Sequence, residues 1–176
     1  MVADSTHPPD NHCYWARPAL LLAGRNPTRL NVEFTRDALA DLLLAGVRVV
    51  INLTQEYEIP SYDSLLMEQA VELGVTAEHH RIPIRDMGVC SREVMVRILD
   101  QIDAAHAAGK PVFVHCYAGI GRTGLVVGCH FVRHGMSGEE ALAEIAMRRR
   151  NVSTAWMRSP ESDEQVAMLL AWRAGM

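Results

Sequence analysis

The stretch Val47-Arg-Val-Val-Ile-Asn-Leu53 restricts the fold most. It is β-branched and almost continuously apolar, the pattern of a strand buried on both faces inside a parallel sheet. Helical periodicity surrounds it. Thr35 opens a helix with Ala38, Leu39, Leu42 and Leu43 on one face, closed by Gly46. A second helix runs from Tyr62 to Leu73 and ends at Gly74, and Val75–Ile84 reads as a further strand. Ser91 caps a third helix that carries Val94, Met95, Ile98, Leu99, Ile102 and Ala105 and stops at Gly109. Val112–Val114 is a short strand, followed by the glycine-rich loop Gly119–Gly124 and a helix to about Val132. Ser137 and Glu140 form a capping box for a helix to about Arg149, and Ser159-Pro160 opens the last helix. Near the start, Ala19–Ala23 is a strand ended by Gly24, with a turn at Asn26-Pro27. Strands alternating with helices predict an α/β fold with a central, mainly parallel sheet flanked by helices.

A chain of 176 residues suits one domain. Residues 1–13 read as a flexible N-terminal leader and 14–176 as a single domain. With 17 basic and 21 acidic residues the net charge is -4, which argues against a nucleic-acid-binding surface. The apolar stretches, such as Ala19–Ala23 and Leu125–Val127, are too short to span a membrane. Residues 1–12 are polar and lack the apolar core of a signal peptide. The four cysteines, Cys13, Cys90, Cys116 and Cys129, show no C-x-x-C spacing. We expect free thiols in a reducing, cytoplasmic setting, and a monomer.

One segment concentrates chemical potential: Val112-Phe-Val-His-Cys-Tyr-Ala-Gly-Ile-Gly-Arg-Thr-Gly124. A buried strand runs into a cysteine, a tight loop and a helix start, at the strand end where α/β sheets bind ligands. Gly119-Ile-Gly-Arg-Thr-Gly124 matches a dinucleotide fingerprint in letters. No acid follows at the end of a next strand, and only 52 residues remain after Gly124 to build a cofactor site. A buried structural cysteine with a glycine turn is the plain alternative; it suits Cys13 and Cys129 but leaves the glycines, Arg122 and Thr123 unexplained. The third reading is an anion-binding nucleophile loop, Cys-x5-Arg. Tyr117, Ala118, Gly119, Ile120 and Gly121 would aim backbone N–H groups at an oxyanion beside a helix N-terminus. Arg122 would fork onto two phosphate oxygens. The same positive field would favour the Cys116 thiolate over the thiol, whose free pKa is about 8.5. Thr123 could donate its hydroxyl to that sulfur, and His115 would order the loop by hydrogen bonding.

His115-Cys-Tyr-Ala-Gly-Ile-Gly-Arg-Thr-Gly124 resembles the signature loop of the cysteine-dependent protein tyrosine phosphatases, with a compact length closer to the dual-specificity branch. A weaker resemblance extends from Trp15–Gly24 through Ile51–Thr54 to Ser159–Trp172. The resemblance implies a phosphomonoester hydrolase working through a phosphocysteine intermediate without metal or cofactor. It implies an acid on a loop upstream of the signature; Asp86, in Pro83-Ile-Arg-Asp-Met-Gly88, fits. Asp37, Asp41 and Asp63 fall in helical regions, and Asp100 and Asp103 lie inside the third helix. It also makes Gln165 a candidate for orienting the hydrolytic water, against an ordinary exposed helix glutamine. A signature cysteine late in the chain, with the acid before it, disfavours low-molecular-weight phosphatases, and the full motif disfavours rhodanese-like domains.

The substrate implied is a phosphorylated protein or peptide, or a small phosphomonoester. The uncharged Tyr117, Ala118 and Ile120 favour phosphotyrosine over a phosphoinositide, and Gln55–Glu58 is a candidate rim. An inactive phosphopeptide-binding module is the alternative of another class. The remaining features have bland readings. His79 and His80 are adjacent on a strand and so face opposite ways, Arg148–Arg150 is a solvated helix end, and Cys90 is a surface thiol that could reach Cys116 under oxidation.

Overall fold

A computed structural model describes residues 7–176. Its sheet has five strands in the order β1-β2-β5-β3-β4. They are β1 (Cys13–Arg17), β2 (Leu21–Arg25), β3 (Val49–Asn52), β4 (Glu78–Arg81) and β5 (Val112–Cys116). Only β1 runs antiparallel, to β2; β2, β5, β3 and β4 are mutually parallel neighbours. The α/β fold with a mainly parallel sheet is therefore as the alternation predicts. The helices are α1 (Val32–Leu44), α2 (Asp63–Glu72), α3 (Arg92–Ala107), α4 (Gly121–Arg133), α5 (Gly138–Arg148) and α6 (Asp163–Ala171).

The pleat of β5 divides the core. Val112 and Val114 join Leu125, Ile98, Ile145 and Leu169 on the face covered by α3–α6. Phe113 points the other way, into Leu39, Leu43 and Leu66 of α1 and α2. Both faces are covered, which is why Val47–Leu53 carries no polar alternation. Helix α4 is buried from Gly121 to Val132 and passes through the thick side of the molecule. A Cβ on Gly128 would lie 2.5 Å from Leu169 Cδ2, so α4 and α6 approach closely there.

Several boundaries differ from the sequence expectation, each for a local reason. Helix α1 begins before Thr35 because Asn31 is its cap, accepting from Phe34 N at 2.9 Å. The last helix begins at Asp163, not at the cis Ser159-Pro160, because Ser162 and Gln165 close a capping box. Strand β4 is shorter than Val75–Ile84. Its chain continues beside β3, with Ile82 N and Ile84 N donating to Asn52 O and Leu53 O at 2.9 Å, but Pro83 has no N–H to pair. The first strand lay unseen: Cys13, placed at the end of the expected leader, is buried and starts β1, and Asp10 pairs with Arg29 at 3.1 Å. Residues 1–6 of that leader lie outside the described residues. Arg149 is no solvated helix end; it is buried and donates to the carbonyls of Met157 and Thr154 at 2.9 and 3.1 Å.

Candidate active site

Strand β5 delivers Cys116 to the carboxyl edge of the sheet, and the chain turns through Tyr117–Ile120 into the first turn of α4. The turn needs glycine at position 119. Gly119 has φ +74°, and a Cβ there would lie 2.4 Å from the Gly24 carbonyl carbon at the end of β2. The loop carbonyls are tied outward. Asn26 donates to Tyr117 O through its backbone N at 3.2 Å and its side chain at 2.9 Å. The Ser159 hydroxyl donates to Ile120 O at 2.7 Å, and His115 Nδ1 donates to Cys116 O at 3.1 Å. Among the described residues no protein acceptor takes the N–H of Ala118, Gly119 or Ile120. The arrangement is a nest of free donors on top of a helix N-terminus, suited to an oxyanion.

The His115 reading is supported by its surroundings. Burial pushes its pKa down to about 3, so the ring is neutral. A carbonyl can only accept, which places the proton on Nδ1 and leaves Nε2 to accept from the Tyr62 hydroxyl at 2.5 Å. The imidazole braces the loop and has no lone pair free to act as a base.

Arg122, buried in the first turn of α4, is held from several sides. Its Nη1 and Nη2 each donate to one Glu58 oxygen at 2.7 Å. Nη1 also donates to Ile84 O at 3.0 Å, and Nη2 meets Asp86 Oδ1 at 2.9 Å. Its Nε is buried without a partner. Burial disfavours the Glu58 charge, but the Arg122 hydrogen bonds and the Gln55 amide outweigh it and hold its carboxyl below the usual range. Burial likewise disfavours the Arg122 charge, and Glu58 with the Cys116 and Asp86 charges more than restores it. The Thr123 hydroxyl is buried and also unpartnered. Two buried donors thus remain unused in the first turn of α4, directly after the loop, which is unusual for buried groups and expected where a ligand completes the set.

Asp86 arrives from the chain beyond β4. It sits in a tight turn closed by Gly88 N donating to Arg85 O at 3.0 Å, with Met87 at φ +59°. Its side chain is 67% exposed, so the acid stands at the mouth while Arg122 lies beneath it. Gln165 is buried, contrary to an exposed helix glutamine. Its Oε1 accepts from Glu161 N and Ser162 N at 3.1 Å, and its Nε2 donates to Gly88 O at 3.0 Å. It therefore ties α6 to the Asp86 turn and packs against Gly121, where a Cβ would lie 2.9 Å from Oε1. One Nε2 hydrogen remains for a water.

The structure brings Cys116, Tyr117–Gly121, Arg122, Thr123, Asp86 and Gln165 to one strand-end site. Sequence reasoning placed Glu58 only on a rim and missed Asn26, Tyr62 and Ser159 as loop braces. Cys90 is half-buried, and burial raises its thiol to about 11, a poor thiolate. His79 is a satisfied strand histidine, 2.6 Å from Asp63.

Residues 25–136 match the family described as "Polymorphic toxin system, DSP-PTPase phosphatase". The chain belongs to this family. The matched span runs from the last residue of β2 through the loop to just beyond α4. The chain is 27% identical over 147 residues, 78% of its length, to protein tyrosine phosphatase domain-containing protein 1 of Danio rerio, and covers 20% of that protein. It is 28% identical over 148 residues, 81% of this chain, to tyrosine-protein phosphatase cdcA of Emericella nidulans, covering 22% of it. The chain thus spans about a fifth of the length of these relatives. Among solved structures it resembles Tk-PTP in its active form, with TM-score 0.68 and 25% identity over 90% of this chain and 95% of that one.

Proposed function

We propose that this DSP-PTPase phosphatase hydrolyses phosphotyrosine in proteins or peptides through a phosphocysteine intermediate. The observation that carries the reading is the loop itself: free amides, an unpartnered Arg122 Nε and an unpartnered Thr123 hydroxyl surround one cysteine at a helix N-terminus. The Cys116 thiolate attacks phosphorus in line, forming the S–P bond as the ester P–O bond breaks. The loop amides and Arg122 hold the charge on the equatorial oxygens. In its acid form, Asp86 gives a proton to the departing oxygen. A water then attacks phosphorus, Asp86 takes its proton, and the thiolate leaves. Thr123 stabilises the leaving sulfur by donating its hydroxyl. Gln165 holds the Asp86 turn and offers its spare N–H to the water. No step needs a metal or cofactor.

The Asp86–Arg122 contact supports this order of events. Phosphate dianion competes for the same guanidinium, so binding releases Asp86 toward the leaving group. The substrate class rests on the loop face. Tyr117, Ala118 and Ile120 bring no cation for additional phosphates. Beside them lies a groove of about 680 Å³ lined by Arg25, Asn26, Arg29, Leu30, Pro60 and Tyr117. It suits an extended peptide segment beside the phosphotyrosine.

The test is hydrolysis of a phosphotyrosine peptide, a phosphoserine peptide and a phosphoinositide by wild type and Cys116→Ser. Preference for the phosphotyrosine peptide with loss in Cys116→Ser is expected. Faster turnover of the phosphoinositide would overturn the substrate class. A wild type that binds phosphopeptide without turning it over would make the chain a binding module.

A further inference from the structure

The far end of α4 carries a second cluster that the phosphatase chemistry does not use. His130 and His134 lie four residues apart, so they share a face of the helix. Asp103 of α3 faces them. Each of the three residues offers one ligand atom, a ring nitrogen or a carboxylate oxygen, and these atoms all lie within 4.8 Å of one another. Asp103 Oδ1 is 3.8 Å from His130 Nδ1 and 3.3 Å from His134 Nε2. Ligands about 2.0–2.1 Å from a tetrahedral ion stand roughly 3.4 Å apart, so small side-chain adjustments close this set.

Two further observations point to a ligand. His130 is fully buried, yet neither of its ring nitrogens has a hydrogen-bond partner. A buried polar atom left unmatched costs about 1–3 kcal/mol, and a cation at Nδ1 would satisfy it. His134 is already oriented: its Nδ1 lies 2.8 Å from His130 O, so it donates there and turns the Nε2 lone pair toward Asp103. Arg133 does not block the set, since it binds the other oxygen, Asp103 Oδ2, at 3.2 Å and Asp100 at 2.6 Å. Asp103 and His134 are each about one-third exposed, which gives an ion an entry path and a water position.

We propose that Asp103, His130 and His134 form a binding site for a divalent transition metal of the zinc class, clamping α3 to the end of α4. The mixed nitrogen and oxygen donors suit Zn²⁺ and exclude a Ca²⁺ or Mg²⁺ preference. The site is separate from Cys116 and belongs to the opposite end of the same helix. Since folding assembles it, the metal stabilises the native chain.

The experiment is titration of the chelator-stripped full chain with Zn²⁺ by calorimetry and with Co²⁺ by visible absorption. One equivalent is expected to bind, with cobalt bands free of thiolate charge transfer, and to raise Tm. Binding is expected to persist in Cys116→Ser and to weaken more than about 100-fold in His134→Ala and Asp103→Asn. Both substituted side chains are partly exposed, so folding is checked by the unchanged metal-free Tm or by retained phosphatase activity. Absence of binding, a thiolate band, loss in Cys116→Ser, or equal affinity in folded His134→Ala and Asp103→Asn would overturn the proposal.

Discussion

Glu58 grips the Arg122 guanidinium with a 2.7 Å hydrogen bond to each carboxylate oxygen, in a pair whose side chains are 10% and 1% exposed. The fork aims the remaining guanidinium edge, Nε included, away from Glu58. Replacing Glu58 by Ala leaves Arg122 buried with Ile84 O, Leu53 O and Asp86 as partners. We expect a stability loss of about 2 kcal/mol, below the usual cost of breaking a buried pair because those partners remain. The misaimed guanidinium should lower kcat/KM roughly 10- to 100-fold. Urea unfolding and steady-state kinetics check the two effects separately.

Asp86 has opposite effects on binding and turnover. Its carboxylate occupies the phosphate-binding edge of Arg122 at 2.9 Å. Asp86→Asn removes a competing anion, so inorganic phosphate or vanadate should inhibit at a several-fold lower concentration. The same variant loses the proton donor, and kcat on an alkyl phosphate should fall by about 10² or more. An aryl ester with a good leaving group should lose less. Inhibition and kcat measured on the two ester classes give the comparison.

Acid should destabilise the fold before it neutralises most carboxylates. Burial lowers His115 and His130 to about 3 in the native state, against about 6.5 when unfolded. The unfolded chain takes up protons first as pH drops. The stability these groups provide is complete above about pH 6.5 and declines as pH falls toward their native values. Metal-free protein should lose about 1.4 kcal/mol or more per pH unit between about pH 6 and 5. Glu58 adds a second decline below about pH 4.5, as its depressed native value is approached. A flat unfolding free energy between about pH 6.5 and 5 would show that these rings protonate freely in the fold.

Gly119→Ala tests the loop geometry. The new Cβ would meet the Gly24 backbone at 2.4 Å, and the residue would keep φ +74°. Backbone on both sides cannot move aside as a flexible side chain can. We expect a cost of at least about 2 kcal/mol and loss of most activity, since the loop amides would shift. Gly109→Ala, with φ +68° but open space, should cost only about 1 kcal/mol and leave activity unchanged. Thermal unfolding and kinetics on both variants separate backbone strain from the collision.

The legible parts of this molecule are the local ones. Cys116 through Gly124 encode strand end, loop and helix start in one string, so Arg122 and the amides could be assigned from sequence. Asp86 was singled out by the resemblance together with its place after a strand; position alone marks an ordinary solvated carboxylate. The braces were not legible, because they come from far along the chain. Glu58 meets Arg122 across 64 positions, Asn26 meets Tyr117 across 91 and Ser159 meets Ile120 across 39. No single-sequence pattern couples such pairs. Gln165 stayed open between a water-orienting role and an exposed helix position, because the contact that buries it, against Gly121, exists only after α4 and α6 pack. His130 and His134 show the same limit: their spacing is visible on one helix, but Asp103 is supplied by another.

The most direct test of the account is to quench the enzyme with acid during turnover of an aryl phosphate and locate covalent phosphate by peptide mass spectrometry. Phosphate on Cys116, absent in Cys116→Ser and more abundant when Gln165→Ala slows the second step, is the predicted result. Turnover in wild type with phosphate on a different residue, or undiminished turnover in Cys116→Ser, would contradict it.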